Sequence, residues 1–459
     1  MRRAIFAGVV LAALGVAGAL AYQAVARDRN YRRLIIQGDQ ALGQGQTFTA
    51  IEAFSGALAL KADSMLAFLR RGEAYRRRGD FASALRDLRT ASRLDPAATQ
   101  PLEQLGDVSY ALRRYERAAE SYEAYLRLDD RSPSVLYKLA LASRADGNLP
   151  RAIAALGQAV TLNERFAEAY YLLGVCLRDG HRVDEAVTAL DHAVSLSPAL
   201  IPAREELADL HALRGRRREE IDQLEALAAL DPQRSERLIA VGLAYSRANS
   251  PDQAIMTLGR AAERFPEQPA VYAAIGRIWL RAAEERGDRA ALRKALEALG
   301  PIATQPGATS DVLTLYGRAL WLTGAPEKAE LVLQQAADKL PAEPSAFLAL
   351  ANVAQRMGRF AEARDALIRY SALSDDEGDL AGRAAQIGDL SMRLNDPVTA
   401  THWFLRAADV ADGDPALLGR LADAQFRAGQ PDAARATLNR AIEKDPRNRL
   451  LQVLARRIN

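Results

Sequence analysis

Four histidines, one cysteine and a spread of carboxylates are the residues of this chain able to do chemistry. Metal binding or acid–base work needs such groups to converge at defined spacing. His181, His192, His211 and His402 are accompanied by no H-E-x-x-H pair, and the chain has no Walker loop, G-x-S-x-G elbow or Gly-rich dinucleotide turn. Glu219 and Glu220 are adjacent, so on a helix they diverge and make a poor catalytic couple. Cys176 stands alone, which excludes an internal disulfide framework and a multi-cysteine metal site. Its place two residues after Gly174 is a packing position. The chemistry expected is therefore non-enzymatic, with no cofactor and no metal.

The elements that carry these residues follow a clock. A small residue stands at Gly38 and returns every 34 positions at Gly72, Gly106, Ala140, Gly174, Ala208, Gly242 and Gly276. After a longer gap it resumes at Gly317, Ala351, Gly388 and Ala422. Twelve residues beyond most marks stands an alanine, from Ala50 and Ala84 to Ala400 and Ala434. A third small residue follows seven later, as at Ala57, Ala193 and Ala441. A fixed period of this length means stacked supersecondary units. Within 168–196, apolar residues recur at three- and four-residue steps in two stretches broken at Asp179-Gly180, so each unit is a pair of helices. Two antiparallel helices approach closely only through small contact residues, with Leu173 and Leu190 filling the space around them. Pro96, Pro198, Pro232, Pro266, Pro341 and Pro446 stand at equivalent places where units begin. The histidines fall at four different places in this period, so it does not bring them together, and His211 reads as a packing residue.

The Leu-Gly of the first helix, the Ala-x-x-x-Leu/Phe of the second and the following proline resemble the tetratricopeptide repeat (TPR) family. The resemblance spans 31–446 as about twelve units. It implies an all-α fold, a right-handed α-solenoid of helix-turn-helix units. It also implies a binding function, with first helices lining a concave groove for a protein or peptide segment. Groove-facing positions are then expected three before each mark and one, four and five after it. Those positions hold Tyr137 and Tyr171, then Arg76, Tyr110, Arg144 and Arg178 in four successive units, with Trp321, Met392 and Phe426 as a more apolar stretch later. Rings and guanidiniums are the usual anchors of an interface, suited to a peptide carrying carboxylates. A solvated face is the competing reading, since Glu73, Asp389 and Asp423 precede Arg77, Arg393 and Arg427 by one helical turn. A chaperone-type clamp does not fit, because of its groove residues only Asn352 is matched. No Cys-x-x-Cys module or catalytic domain accompanies the repeats.

The clock slips twice, near 281–295 and near 374–380, where longer helices or loops are expected. The insertion at 281–307 offers Arg, Glu, Asp and Lys in helical spacing and no reactive set. Glu220 occupies a small-residue position, which predicts local adjustment with its stem turned outward. Residues 447–459 read as a closing helix whose Leu450, Leu451, Leu454 and Ile458 cover the last unit while its arginines face water.

Net charge is +3, but Arg2, Arg3, Arg27, Arg29, Arg32 and Arg33 concentrate it at the start, so the repeats are close to neutral. That argues against nucleic acid as a partner. Arg76-Arg77-Arg78 and Arg216-Arg217-Arg218 read as solvated helix ends. Residues 4–21 lack polar side chains and as a helix would span ~27 Å. Residues 1–26 are expected to be a transmembrane signal-anchor or a cleaved signal peptide, with 27–30 as a linker. The series Ala4, Gly8, Ala12 would let two such helices pair into a homo-oligomer, although an Ala-rich segment produces it by chance. The short basic start favours repeats facing the periplasm of a bacterium, and the arginines at 27–33 leave a cytoplasmic orientation open. The whole reads as a scaffold of the bacterial inner membrane that recruits protein partners into an envelope assembly.

Overall fold

The computed structural model describes residues 2–374 and 379–458, with the side chains of 2–13, 15, 17 and 18 left outside the description. Twenty-five helices and no strand occur among the described residues. They form two compact units, Met1–Leu230 and Asp231–Asn459. The first holds six helix pairs. The second holds six more, followed by a closing helix Arg449–Ile458.

The small residues of the period are the contact points of each pair. Every alanine twelve after a mark, from Ala50 to Ala434, has no exposed surface, and so has every one of the eight that follow seven later. Where the mark is glycine, a large side chain of the second helix lies across it. An added Cβ at Gly174 would meet Leu190 Cγ at 2.6 Å and the Ala186 carbonyl at 3.2 Å. Gly72 meets Leu88, Gly242 meets Leu258 and Gly317 meets Leu333, while Gly38, Gly106 and Gly388 meet the rings of Phe54, Tyr122 and Phe404. Each of these partners sits sixteen residues after its glycine. Gly276 meets Leu299 instead, seven residues later than the rule, because the inserted residues lengthen helix Pro269–Arg286 and precede helix Arg289–Ala303. The first slip thus appears as longer helices. The second lies largely in 375–378, outside the described residues.

A left-handed residue closes every turn between paired helices. Gly45, Gly79, Gly147, Gly215, Gly287, Gly324, Gly358 and Gly429 fill this position in eight pairs. Arg113, His181, Asn249 and Asn395 fill it in the other four. At the Asp179-Gly180 break, the left-handed residue is therefore His181 (φ 59°), and Gly180 stays in the ordinary region at φ −86°.

Several expectations need correction. Residues 2–43 form one continuous helix, so 27–30 is no linker and no separate N-terminal helix precedes the repeats. The apolar reading of 4–21 falls mostly outside the described side chains. Among the described residues, no helix is long and apolar enough to cross a membrane. Glu220 is 1% exposed rather than turned outward. It lies in the first turn of helix Arg217–Leu230, where the helix dipole favours an anion, and pairs with Arg217 at 3.1 Å. In the closing helix, Leu451 and Ile458 are buried as expected, but Leu450 is 80% exposed. Arg457 does not simply face water, since it pairs with Asp423 at 2.8 Å.

Cys176 is fully buried, and burial pushes its thiol up to about 11. The histidines serve four separate local roles. His192 stacks on Tyr170 (5.3 Å), His402 meets Trp403 edge-on (5.7 Å), His181 closes a turn, and His211 is buried.

Two outcomes are expected. Gly174→Val should lower stability by ~2–3 kcal/mol through overpacking, and Leu190→Ala in the same chain should recover part of that loss. Denaturant melts of the two single variants and the double variant measure the coupling, and simple additivity would contradict close helix contact here. Burial also holds the His211 imidazole below its ordinary value of 6.5, against the opposing pull of Asp191 and Glu219. The unfolded chain therefore binds a proton first as pH falls. The stability from this group should be complete above 6.5 and decline below it. Melting temperature followed against pH should show that decline in the wild type and a smaller one in His211→Phe.

Candidate partner-binding groove

Tyr110, Tyr137 and Tyr171, expected to face the groove, stand on three successive first helices of the first unit. Tyr137 lies close enough to Tyr110 and Tyr171 for each to influence it, and burial is the main cause raising its hydroxyl pKa. Tyr171 is also raised, by burial first and then by Glu206, while Arg144 and Arg178 pull the other way. Tyr137 packs at 5.3 Å on Phe166, and Tyr110 meets Tyr115 edge-on at 5.4 Å. Neighbouring repeats thus bring Tyr110, Tyr137, Tyr171, Arg144 and Arg178 together. Arg76 is half-buried at the same register, and its Nε is buried without a hydrogen-bond partner.

The guanidiniums of this line are already matched by carboxylates. Arg144 donates to Asp179 through Nε (3.1 Å) and Nη2 (3.0 Å). Arg178 donates to Asp179 through Nε (3.1 Å) and Nη2 (2.8 Å) and also pairs with Glu206 of the next repeat. Asp179 stays ionised: burial raises its pKa, but Arg178 and Arg144 together hold it below the usual carboxylate range. The expected free receptor for a carboxylate peptide is therefore absent at Arg144 and Arg178. The tyrosines are what this stretch offers to a partner.

Such rungs between repeats are the feature that the sequence reading missed. Lys138 donates to Glu103 (2.7 Å) and Asp107 (2.9 Å), both on the preceding first helix. Burial disfavours its charge, but the hydrogen bonds to Glu103 and Asp107 prevail and raise its pKa. Tyr122, seated against Gly106, donates its hydroxyl to the same Asp107 at 2.9 Å. The helix contact and the ionic rung are thus one network. In the second unit Arg277 pairs with Asp311, and Arg318 with Glu284, both at 2.7 Å and one full repeat away. The available signal was opposite charge recurring at about one period, which a search for one-turn helix pairs does not see.

One-turn pairing holds in two of the three expected cases. Glu73–Arg77 closes at 2.7 Å and Asp423–Arg427 at 3.1 Å. Asp389 instead pairs with Arg420 of the next repeat at 2.9 Å. That leaves Arg393 over the Phe360 ring, 5.1 Å from its centroid.

The later aromatic positions border open space. Trp321, half-buried with Arg356 over its ring at 5.9 Å, lines a cavity of about 500 Å3 together with Leu322, Leu348 and Asn352. Met392 lines another of about 610 Å3 beside the closing helix. Phe426 stands next to that second cavity under Arg457, 5.8 Å from the ring centroid. Both volumes fall within the range of ligand-sized clefts.

Lys138→Met should remove the rung and leave Glu103 and Asp107 facing each other, at a cost of about 1 kcal/mol for a partly exposed pair. Denaturation at low and high salt checks this, because screening should shrink the difference.

Comparison with known proteins agrees with this architecture. A tetratricopeptide-repeat family model matches residues 37–99, 69–134 and 137–201, and a second one matches 393–457. Small glutamine-rich tetratricopeptide repeat-containing protein 2 of Mycosarcoma maydis is 31% identical over 112 residues, which is 24% of this chain and 32% of that protein. The chain thus spans about a third of the length of that curated relative. Among solved structures, MamA is 24% identical and covers 44% of this chain and 92% of its own, with a TM-score of 0.30. YrrB, described as a TPR protein with an unusual peptide-binding site, is 20% identical and covers 49% and 98%, with a TM-score of 0.30. The chain carries tetratricopeptide repeats at the matched residues, within an all-helical fold.

Proposed function

We propose that this protein is a non-catalytic scaffold that binds protein segments along its first-helix face, tethered at a bacterial cell envelope by residues 4–21. Its role is to assemble or regulate an envelope complex, in the class of secretion, pilus, polysaccharide or cell-wall machinery. One observation carries the binding part of this reading. At the expected groove register, Tyr110, Tyr137 and Tyr171 stand on three successive first helices, each at least partly exposed, and Trp321 and Met392 border two ligand-sized clefts. Partly buried aromatic anchors of this kind supply most of the energy in protein interfaces. The repeats' near-neutral charge, with arginines matched by carboxylates, suits proteins better than nucleic acid.

For the tether, the support is the unbroken apolar run 4–21 behind Arg2-Arg3. A periplasmic orientation follows from that short basic start. The arginines at 27, 29, 32 and 33 favour a second reading, an adaptor facing the cytoplasm that regulates an inner-membrane enzyme. A fusion of alkaline phosphatase to the C-terminus separates the two, since activity in an exporting host requires the periplasmic orientation. For binding, Tyr137→Ala, Tyr171→Ala and Trp321→Ala together should reduce crosslinked partner recovery by at least about tenfold. Unchanged recovery, with circular dichroism showing an intact fold, would make this face ordinary surface.

A further inference from the structure

We infer that the cleft between helices Leu380–Arg393 and Pro415–Arg427 and the closing helix takes an acidic peptide segment of a partner protein, anchored by an aliphatic side chain. This names the ligand class of one end of the groove and rests on the protein-binding reading above.

The cleft encloses about 610 Å3. Half-buried Met392 and Leu454 supply its apolar surface, backed by buried Phe404 and Leu451. Leu450 and Val453 continue that surface outward, 80% and 64% exposed, so the closing helix adds a greasy lip instead of sealing the end. Aliphatic groups left in water beside an open apolar floor gain by receiving another aliphatic group.

Charge around this floor is unbalanced. Four guanidiniums, Arg393, Arg420, Arg427 and Arg457, surround it, with only the carboxylates of Asp389 and Asp423 among them. Asp389 is held by Arg420 at 2.9 Å. Asp423 is shared by Arg427 at 3.1 Å and Arg457 at 2.8 Å. Arg393 makes no salt bridge among the described residues and rests on the Phe360 ring. Two positive charges thus remain unmatched around an apolar floor, unlike the first unit, where Asp179 and Glu206 satisfy Arg144 and Arg178. A guanidinium has five donors in a fixed fork, and a shared carboxylate satisfies only part of them. Carboxylates on an occupant would complete these forks, while its aliphatic side chain fills the floor. A basic segment would be repelled, and a bare polyanion would leave the apolar lining in water.

The test uses the full chain and a short labelled peptide of alternating glutamate and leucine, followed by fluorescence anisotropy. Two twins accompany it, one with lysine for glutamate and one with serine for leucine, each made as free acid and as amide. The acidic leucine peptide should bind at least about tenfold more tightly than either twin. Equal binding of acid and amide would assign the contact to side-chain carboxylates, and a stronger free acid to a chain terminus. Either result supports the site. Arg393→Glu and Leu450→Asp, both at exposed side chains, should each weaken that peptide by about tenfold or more, and Arg393→Glu should improve the lysine twin. A thermal melt confirms that each variant is folded.

Comparable binding of the acidic and lysine peptides, or indifference to both substitutions, overturns the assignment. Displacement by heparin as effective as by unlabelled peptide also overturns it, by making the patch a general polyanion site. If crosslinked recovery of partners still depends on Tyr137, Tyr171 and Trp321 in those cases, protein binding stands and only this cleft falls.

Discussion

Eight of the twelve helix pairs depend on one contact, a large side chain laid across a glycine that has no room for a Cβ. Leu190 on Gly174 shows the requirement, since an added atom there would lie 2.6 Å from Leu190 Cγ and 3.2 Å from a backbone carbonyl. Flexible side chains can shift by a few tenths of an ångström, whereas the carbonyl cannot move without bending its helix. Interiors at crystal-like density have little slack to absorb such changes. The contact therefore fixes how close the helices of a pair stand, and with that the register at which other side chains emerge. The seven-residue insertion obeys the same constraint, because Leu299 replaces the residue that the period would have placed on Gly276.

The contact also reaches the surface. Gly106 admits the ring of Tyr122, whose hydroxyl donates to Asp107, and Asp107 accepts from Lys138 of the following repeat. Burial is the main cause that pushes the Tyr122 hydroxyl far above its ordinary range, with Asp107 adding to it, so the phenol remains a donor throughout. Core packing, the hydrogen bond and the rung are coupled, and removing one member leaves polar groups half-buried without partners. Many charges on the first helices therefore serve stacking. What remains for a partner is the aromatic surface between the rungs and any guanidinium that the carboxylates fail to match.

How far this was legible in the sequence depends on which force fixed each residue. The twelve pairs, the buried alanines and the lengthened helices around 281–295 were readable, because close packing tolerates few residue types and repeats them at a fixed spacing. Glu220 was misread. Burial beside Arg217 in the first turn of a helix is a compensation specific to one site, and a residue-type rule treats such a site only as a violation. The continuous helix Arg2–Gly43 was also missed, since nothing in 27–30 marks a boundary or its absence. At the expected groove positions, the pairing of Arg144 and Arg178 was not readable. Their partners lie on neighbouring helices, and a charge is available to a ligand only if the fold has not already used it.

Asp389 carries this distinction furthest. On helical spacing alone its partner is Arg393, as Glu73 pairs with Arg77 and Asp423 with Arg427. It pairs instead with Arg420, one repeat on, and burial raises its pKa even with both arginines nearby. A rung to the next repeat offsets part of the cost of keeping that carboxylate ionised, and the displaced guanidinium lies over an aromatic face, where attraction to the ring stands in for an ion pair. In a period whose units share a packing pattern, recognition of a particular partner has to come from what the units do not share. It has to come from positions where stacking takes a different partner and leaves a neighbour unmatched, and Arg393 beside the open floor of Met392 is such a position.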